Sequence, residues 1–261
     1  MKQVDLHVHT NYSDDADYTP QEIINKAKAE ELACIAITDH NITAAVDEAL
    51  ELGASNNLEI VPGIELDTNY QEKNLHILGY YLDWKSPKID QLLGGLRAAQ
   101  EEQFQKRIAK LQKLGFQITA EEVLAEAEGL SHPPGGLIAE VLLAKEENQA
   151  DKRLKPYLMG NKSDQPYFNF YLDYFKQGGK AYVPCWKPNS QRAIEVINDL
   201  GGVSVLAHPG ATLGRGDEEL IRELSAEGLQ GIEAYSTYHQ QTEVEFFKKI
   251  AAQNDLLITA G

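Results

Sequence analysis

The chain has 261 residues, 43% of them apolar, enough for one sizeable core or a core with an insertion. Its 24 Lys and Arg against 40 Asp and Glu leave a formal net charge of −16. That balance excludes a protein built to bind duplex nucleic acid or an anionic membrane, both of which need a basic face, but leaves room for a small phosphorylated substrate if bound cations reverse the sign locally. No apolar run reaches the roughly 18 residues of a membrane span. The start, Met-Lys-Gln-Val-Asp-Leu-His, lacks the layout of a signal peptide, and Cys34 and Cys185 make no disulfide framework, so a soluble cytoplasmic protein is expected.

VDLHVH (4–9) reads as the first strand. Thr19-Pro20-Gln21-Glu22 forms a capping box with proline at the first helical position, opening a helix to about Leu32. ACIAIT (33–38) is the second strand, 41–52 is compatible with a helix, and LEIVPGIEL (58–66) and NLHILGYYL (74–82) are the third and fourth strands. From about Lys88 to Phe175 the pattern is helical: Phe104, Ile108 and Leu111 share a helix face, Thr119 to Glu122 is a second capping box, and 137–146 fits a third helix. This stretch also holds Pro133-Pro134-Gly135-Gly136 and an aromatic run from Tyr167 to Phe175. VSVLAHP (203–209), LQGIEAYS (229–236) and LLITAG (256–261) complete seven strands, with a helix at 217–226 between the first two of them. Nearly continuous apolar strands alternating with helices predict an α/β protein with a mainly parallel sheet, interrupted by a helical insertion at about 90–180.

The chemistry gathers at the strand ends. His7 and His9 are two apart in a strand, so both imidazoles face one side, where they can grip one divalent cation. Asp14 follows in a polar loop, Asp39-His40 ends the second strand, Glu65 ends the third, and His76 and His208 sit in the fourth and fifth. Imidazoles and carboxylates at strand ends are the makings of a metal site at the C-terminal mouth of a barrel.

Asp5-Leu6-His7-Val8-His9-Thr10, Ser13-Asp14, Thr38-Asp39-His40, Pro62-Gly63-Ile64-Glu65, His76 and Ala207-His208-Pro209 together resemble the PHP family, the polymerase and histidinol phosphatase superfamily of metal-dependent phosphoesterases. The resemblance runs the length of the chain, including the insertion of the nucleotide-phosphatase branch. It implies a distorted seven-stranded (β/α) TIM-like barrel from 1–89 and 181–261, with 90–180 as a helical substrate cap. It also implies a site for up to three divalent ions, filled with zinc, manganese or iron. His7, His9 and Glu65 would hold one metal; Glu65 would bridge to a second held by His76 and His208, although His208 could instead serve a third; Asp14 and His40 resemble ligands of the third. Asp39 would orient a ligand by accepting an imidazole N–H.

Two departures from the family pattern stand out. Its closing Gly-Ser-Asp-x-His would begin where this chain stops, at Thr259-Ala260-Gly261, so the expectation is a fragment with fewer metals than the complete protein. The branch's Arg-x-His is replaced by Ser131-His132-Pro133, with His132 displaced. Lys180 resembles a phosphate-facing lysine, and His239 could donate to phosphate or protonate a leaving oxygen. The expected function is a phosphoesterase cleaving a nucleotide or short oligonucleotide with metal-activated water. The alternatives are an amidohydrolase-like metal hydrolase and a non-catalytic metal-binding module.

Overall fold

The computed structural model describes residues 3–13, 15–127, 131–214 and 217–261. All seven strands form: β1 (Val4–Val8), β2 (Cys34–Ile37), β3 (Glu59–Tyr70), β4 (Lys73–Tyr80), β5 (Val203–Leu206), β6 (Gly231–Tyr235) and β7 (Leu257–Ala260). They make one sheet in chain order, with β7 returning beside β1 although no ladder joins that pair among the described residues. The pairings β1–β2, β2–β3, β5–β6 and β6–β7 are parallel. β4 runs against both of its neighbours. The reason is local: Gln71 and Glu72, at φ of 46° and 66°, make a two-residue turn, and so short a link permits only an antiparallel hairpin.

Strand alternation sorts the core into two layers. Ile35 and Ile37 of β2 face outward, packing with Ile24 and Ala27 of the Pro20–Ala29 helix and Ala49 of the Val46–Asn56 helix. Cys34 and Ala36 face inward, joining Val61, Leu78, Tyr80 and Val205 inside the sheet. The Thr19 capping box forms as expected, Glu22 closing onto Thr19. The helix expected from Asn41 begins only at Val46, because Asn41 takes a left-handed conformation (φ 56°) and donates its N–H to the Glu65 carbonyl.

By contact density the chain divides into two units, Met1–Leu93 with Lys187–Gly261, and Gly94–Trp186. The second unit has its own helical core. Phe104, Ile108 and Leu111 pack with Ile138, Leu142, Phe170 and Tyr174, the last two rings stacked 4.1 Å apart. Of the aromatic run, Phe170, Tyr174 and Phe175 are buried and Phe168 is exposed, as helical spacing requires. Pro134 caps the Gly135–Ala144 helix, and a Cβ on Gly135 would lie 2.6 Å from the Tyr171 ring, so the glycine permits that packing. Among the described residues no helix is long and apolar enough to cross a membrane.

Candidate metal centre

Five histidines close into a ring around one carboxylate. Neighbouring imidazoles His7, His9, His40, His76 and His208 stand 4.7 to 5.4 Å apart, centroid to centroid, all the way round. At the centre is Glu65, fully buried. Its Oε2 lies 3.1 Å from His7 Nε2, 3.0 Å from His9 Nε2 and 3.3 Å from His40 Nε2. Its Oε1 lies 2.8 Å from His76 Nδ1 and 3.1 Å from His208 Nε2. Each carboxylate oxygen therefore serves its own group of imidazoles.

Each placement has a local cause. β1 alternation presents His7 and His9 on one face. His40 prolongs β2 along β3 through a single parallel bridge to Glu65. The hairpin register sets His76 opposite Asp67, two residues beyond Glu65 and on the same face. His208 follows β5 at φ 23°, a strained value for a residue with a side chain, which sends its N–H to Glu233 at 2.6 Å and its imidazole to Glu65.

The donor set fits divalent cations. His7 Nδ1–H donates to Glu233 at 3.2 Å, and His9 Nδ1–H to Asp15 at 3.0 Å. These bonds assign the proton to Nδ1 on both rings, yet the two Nε2 atoms face each other at 3.1 Å. Two lone pairs so close repel unless a cation, or an added proton, lies between them. Glu65 Oε2, within 3.3 Å of three imidazole nitrogens, makes no hydrogen bond to any of them. Ligand atoms roughly 3.3 Å apart are what metal bonds of about 2.0 Å in a tetrahedral array produce. Among the described residues, four triads have ligand atoms within reach of a common ion: His7–His9–Glu65, His9–Asp15–His40, His40–Asp67–His76 and Glu65–His76–His208.

Electrostatics agree. Burial opposes charge on His7 and His9, but the carboxylates of Glu233 and Glu65 beside the first, and of Asp15 and Glu65 beside the second, raise them to about 10 and about 9. Burial likewise opposes charge on His40, and Asp15 with Glu65 and Asp67 raises it. Burial would push Glu65 up, but the imidazoles of His208, His7, His76 and His9 hold its carboxyl far below the usual range. Without cations, then, the site holds protons in their place. Because His7 and His9 sit above their unfolded value of about 6.5, the stability they contribute is full below that pH and disappears as pH rises through about 9 and about 10. The chelated chain should therefore lose thermal stability between pH 7 and pH 10, whereas the metal-loaded chain, whose imidazoles are already deprotonated, should stay nearly level. Scanning calorimetry with and without chelator across that range checks this.

Asp39 and His239 meet partners other than those expected. Asp39 is buried, but its oxygens accept from the Thr10 N–H (2.6 Å) and the Thr10 hydroxyl (2.9 Å), not from an imidazole. Glu233 and Asp15 take the imidazole N–H groups instead. His239 is no proton donor in this geometry: its Nδ1–H goes to the Ala234 carbonyl at 2.9 Å, and its Nε2 accepts the Gly210 N–H at 2.9 Å. Only glycine allows that approach, since a Cβ on Gly210 would lie 2.4 Å from the imidazole. Asp14 lies outside the described residues. His132 and Lys180 belong to the Gly94–Trp186 unit; the first is half-buried beside the Ser131 hydroxyl, the second exposed near the Tyr174 ring. Asp15, Asp67 and Glu233 are not singled out by sequence reasoning. For Asp67 the available signal is its i+2 spacing from Glu65, and for Glu233 a lone carboxylate inside an apolar strand.

Known proteins match this arrangement. The PHP domain profile covers residues 5–181. The chain is 26% identical to a 5'-3' exoribonuclease of Haemophilus influenzae, spanning 100% of this chain and 89% of that protein. It is 27% identical to a 3',5'-nucleoside bisphosphate phosphatase of Chromobacterium violaceum (100% and 86%) and 27% identical to a phosphoribosyl 1,2-cyclic phosphate 1,2-diphosphodiesterase of Eggerthella lenta (98% and 92%). Among solved structures, one from Chromobacterium violaceum described as an amidohydrolase, with bound sulfate and no metal, superposes with a TM-score of 0.80 at 25% identity over 99% of this chain and 86% of that one. Another from Bifidobacterium adolescentis, described as a metal-dependent phosphoesterase, gives 0.76 at 28% identity over 100% and 86%. With the profile covering more than half its length and the histidine ring at its strand ends, this chain belongs to the PHP domain family.

Proposed function

We propose that this chain is a metal-dependent phosphoric ester hydrolase acting on a small phosphorylated substrate of the nucleotide class, a mononucleotide or a short oligonucleotide. The observation that carries the reading is the closed imidazole ring with Glu65 shared between its two halves. His7, His9 and Glu65 would hold one cation, and Glu65, His76 and His208 a second. His40 with Asp15 or Asp67 offers ligands for a third. Zinc, manganese and iron all suit such imidazole and carboxylate donors. When bound, divalent cations there provide hydroxide from water near neutral pH and offset the charge of phosphoryl oxygens.

The rest is the work of the chain itself. Glu65 offers one oxygen to His7, His9 and His40 and the other to His76 and His208, a negative charge that would lower the repulsion between cations held by the two groups. Glu233 and Asp15 hold His7 and His9 in the tautomer that presents Nε2. Asp39 anchors Thr10, fixing the loop that follows His9. A phosphoryl oxyanion is thereby accepted by a protein of net charge −16. The nucleotide class is supported by the relatives, whose names concern RNA, nucleoside bisphosphates and a cyclic phosphoribosyl ester.

Phosphate release should be measured for nucleoside 3',5'-bisphosphates, cyclic phosphates and short 5'-phosphorylated oligonucleotides, with each metal in turn. Turnover of at least one of them is expected, and none with dihydroorotate or hydantoins. Metal binding without hydrolysis of any ester would favour the non-catalytic alternative.

Selection among substrates we assign to the Gly94–Trp186 unit, which has its own core and can vary without disturbing the imidazole ring. Exchanging that segment for a relative's should change the preferred leaving group while metal per chain stays constant. An unchanged substrate profile would refute this assignment.

A further inference from the structure

Among the described residues, one lysine or arginine comes within 4.0 Å of the carboxylates of the ring. Lys187 Nζ stands 3.6 Å from Asp67 Oδ2, too long for a hydrogen bond, and both side chains are about one-fifth exposed. Asp67 is shared in turn by His40 at 3.4 Å and His76 at 3.2 Å, so the ammonium stands at the rim of the ring.

The position of Lys187 is built in. β3 runs on past Asp67, and its Asn69 N–H donates to the Pro188 carbonyl at 2.9 Å. One residue further, Asn189 bridges to Asn69 as a short parallel pair. The buried hydroxyls of Thr68 and Ser190 meet at 2.7 Å. Pro188 restricts residue 187 itself to extended conformations. A segment fixed this firmly by the strand that bears Glu65 and Asp67 carries a lysine whose own ion pair is loose. That combination suits a side chain parked on a carboxylate until a better anion arrives.

We infer that Lys187 binds an oxygen of the phosphoryl group that is cleaved, leaving Asp67 as substrate enters. This rests on the phosphoesterase reading above. The ammonium supplies a charge-assisted hydrogen bond to an anion beside carboxylates that no other lysine or arginine among the described residues pairs with.

The test uses the metal-loaded chain and inorganic phosphate. By calorimetry, Lys187→Ala should weaken phosphate binding by about tenfold to about a hundredfold, the loss of one hydrogen bond to a charged group. Lys187→Arg should retain most of the affinity, and metal per chain should be unchanged in both. In turnover, Lys187→Ala should raise KM for monophosphates and bisphosphates alike. Unchanged phosphate affinity overturns the inference. So does a fall in metal content in both variants, which would make Lys187 a support for the ring rather than a substrate ligand. If the parent chain binds phosphate through Lys187 yet hydrolyses no ester with any metal, the hydrolase reading fails while the phosphate ligand stands.

Discussion

Glu65→Gln should empty the metal centre of at least one ion and lower kcat/KM by about a thousandfold or more, since several kcal/mol of transition-state charge stabilisation depend on the cations. The amide keeps the shape of the side chain but not its charge. One oxygen of Glu65 faces His7, His9 and His40, and the other faces His76 and His208. With glutamine in its place, one of these two groups would meet an NH2, which cannot ligate a cation. The remaining oxygen would no longer offset the repulsion between two divalent ions. Fold integrity is checked by circular dichroism, metal by elemental analysis, and turnover on the best substrate of the screen. Wild-type metal stoichiometry with near-normal turnover would rule out a bridging role.

Glu233→Gln should have the next largest effect, although Glu233 lies outside the inner ring. It is buried at 1% exposure and accepts two donors, the His208 N–H at 2.6 Å and His7 Nδ1–H at 3.2 Å. An amide can present its oxygen to one of these donors but must turn its own N–H groups on the other. A buried donor left without an acceptor costs about 1–3 kcal/mol of stability. If His7 is the loser, its ring is free to flip and its Nε2 is no longer held toward Glu65. If the His208 N–H is the loser, the strained backbone at φ 23° loses the bond that holds it. Either way metal affinity should fall about 10–100-fold, the usual cost of losing a carboxylate that orients a ligating histidine. Titration with a competing chelator measures this, and unaltered metal affinity would show that Glu233 does not orient these ligands.

Glu65 and Glu233 also mark the difference between what sequence and structure reveal. Glu65 is legible because it stands in an apolar strand-like run, within a series of histidines in or just after such runs, and a charge in that position is expensive unless it has partners. Glu233 lies in the same kind of apolar strand, but nothing nearby in sequence accompanies it. Its partners, His7 and His208, are reached only when the sheet sets β6 beside β5 and curls round to bring β7 beside β1.

All seven strands, the insertion's helical character, both Thr-x-x-Glu helix starts and the candidacy of the five histidines and Glu65 are legible in the sequence. Each rests on a local rule: continuous apolar runs for covered strands, i+2 spacing for a shared face, a capping residue three before its acidic partner. Chain direction and pairing across distance obey no such rule. The tight turn at Gln71-Glu72 made β4 antiparallel and so set His76 opposite Asp67. Tertiary packing gave Asp39 to Thr10, turned His239 onto two backbone groups, brought Asp15, Asp67 and Glu233 to the histidines, and set Lys187 beside Asp67. His7 and His9 are placed residue by residue, because alternation along one strand decides which way a side chain points. The groups that orient and neutralise them come from elements up to 226 positions away, where only the folded chain determines who meets whom.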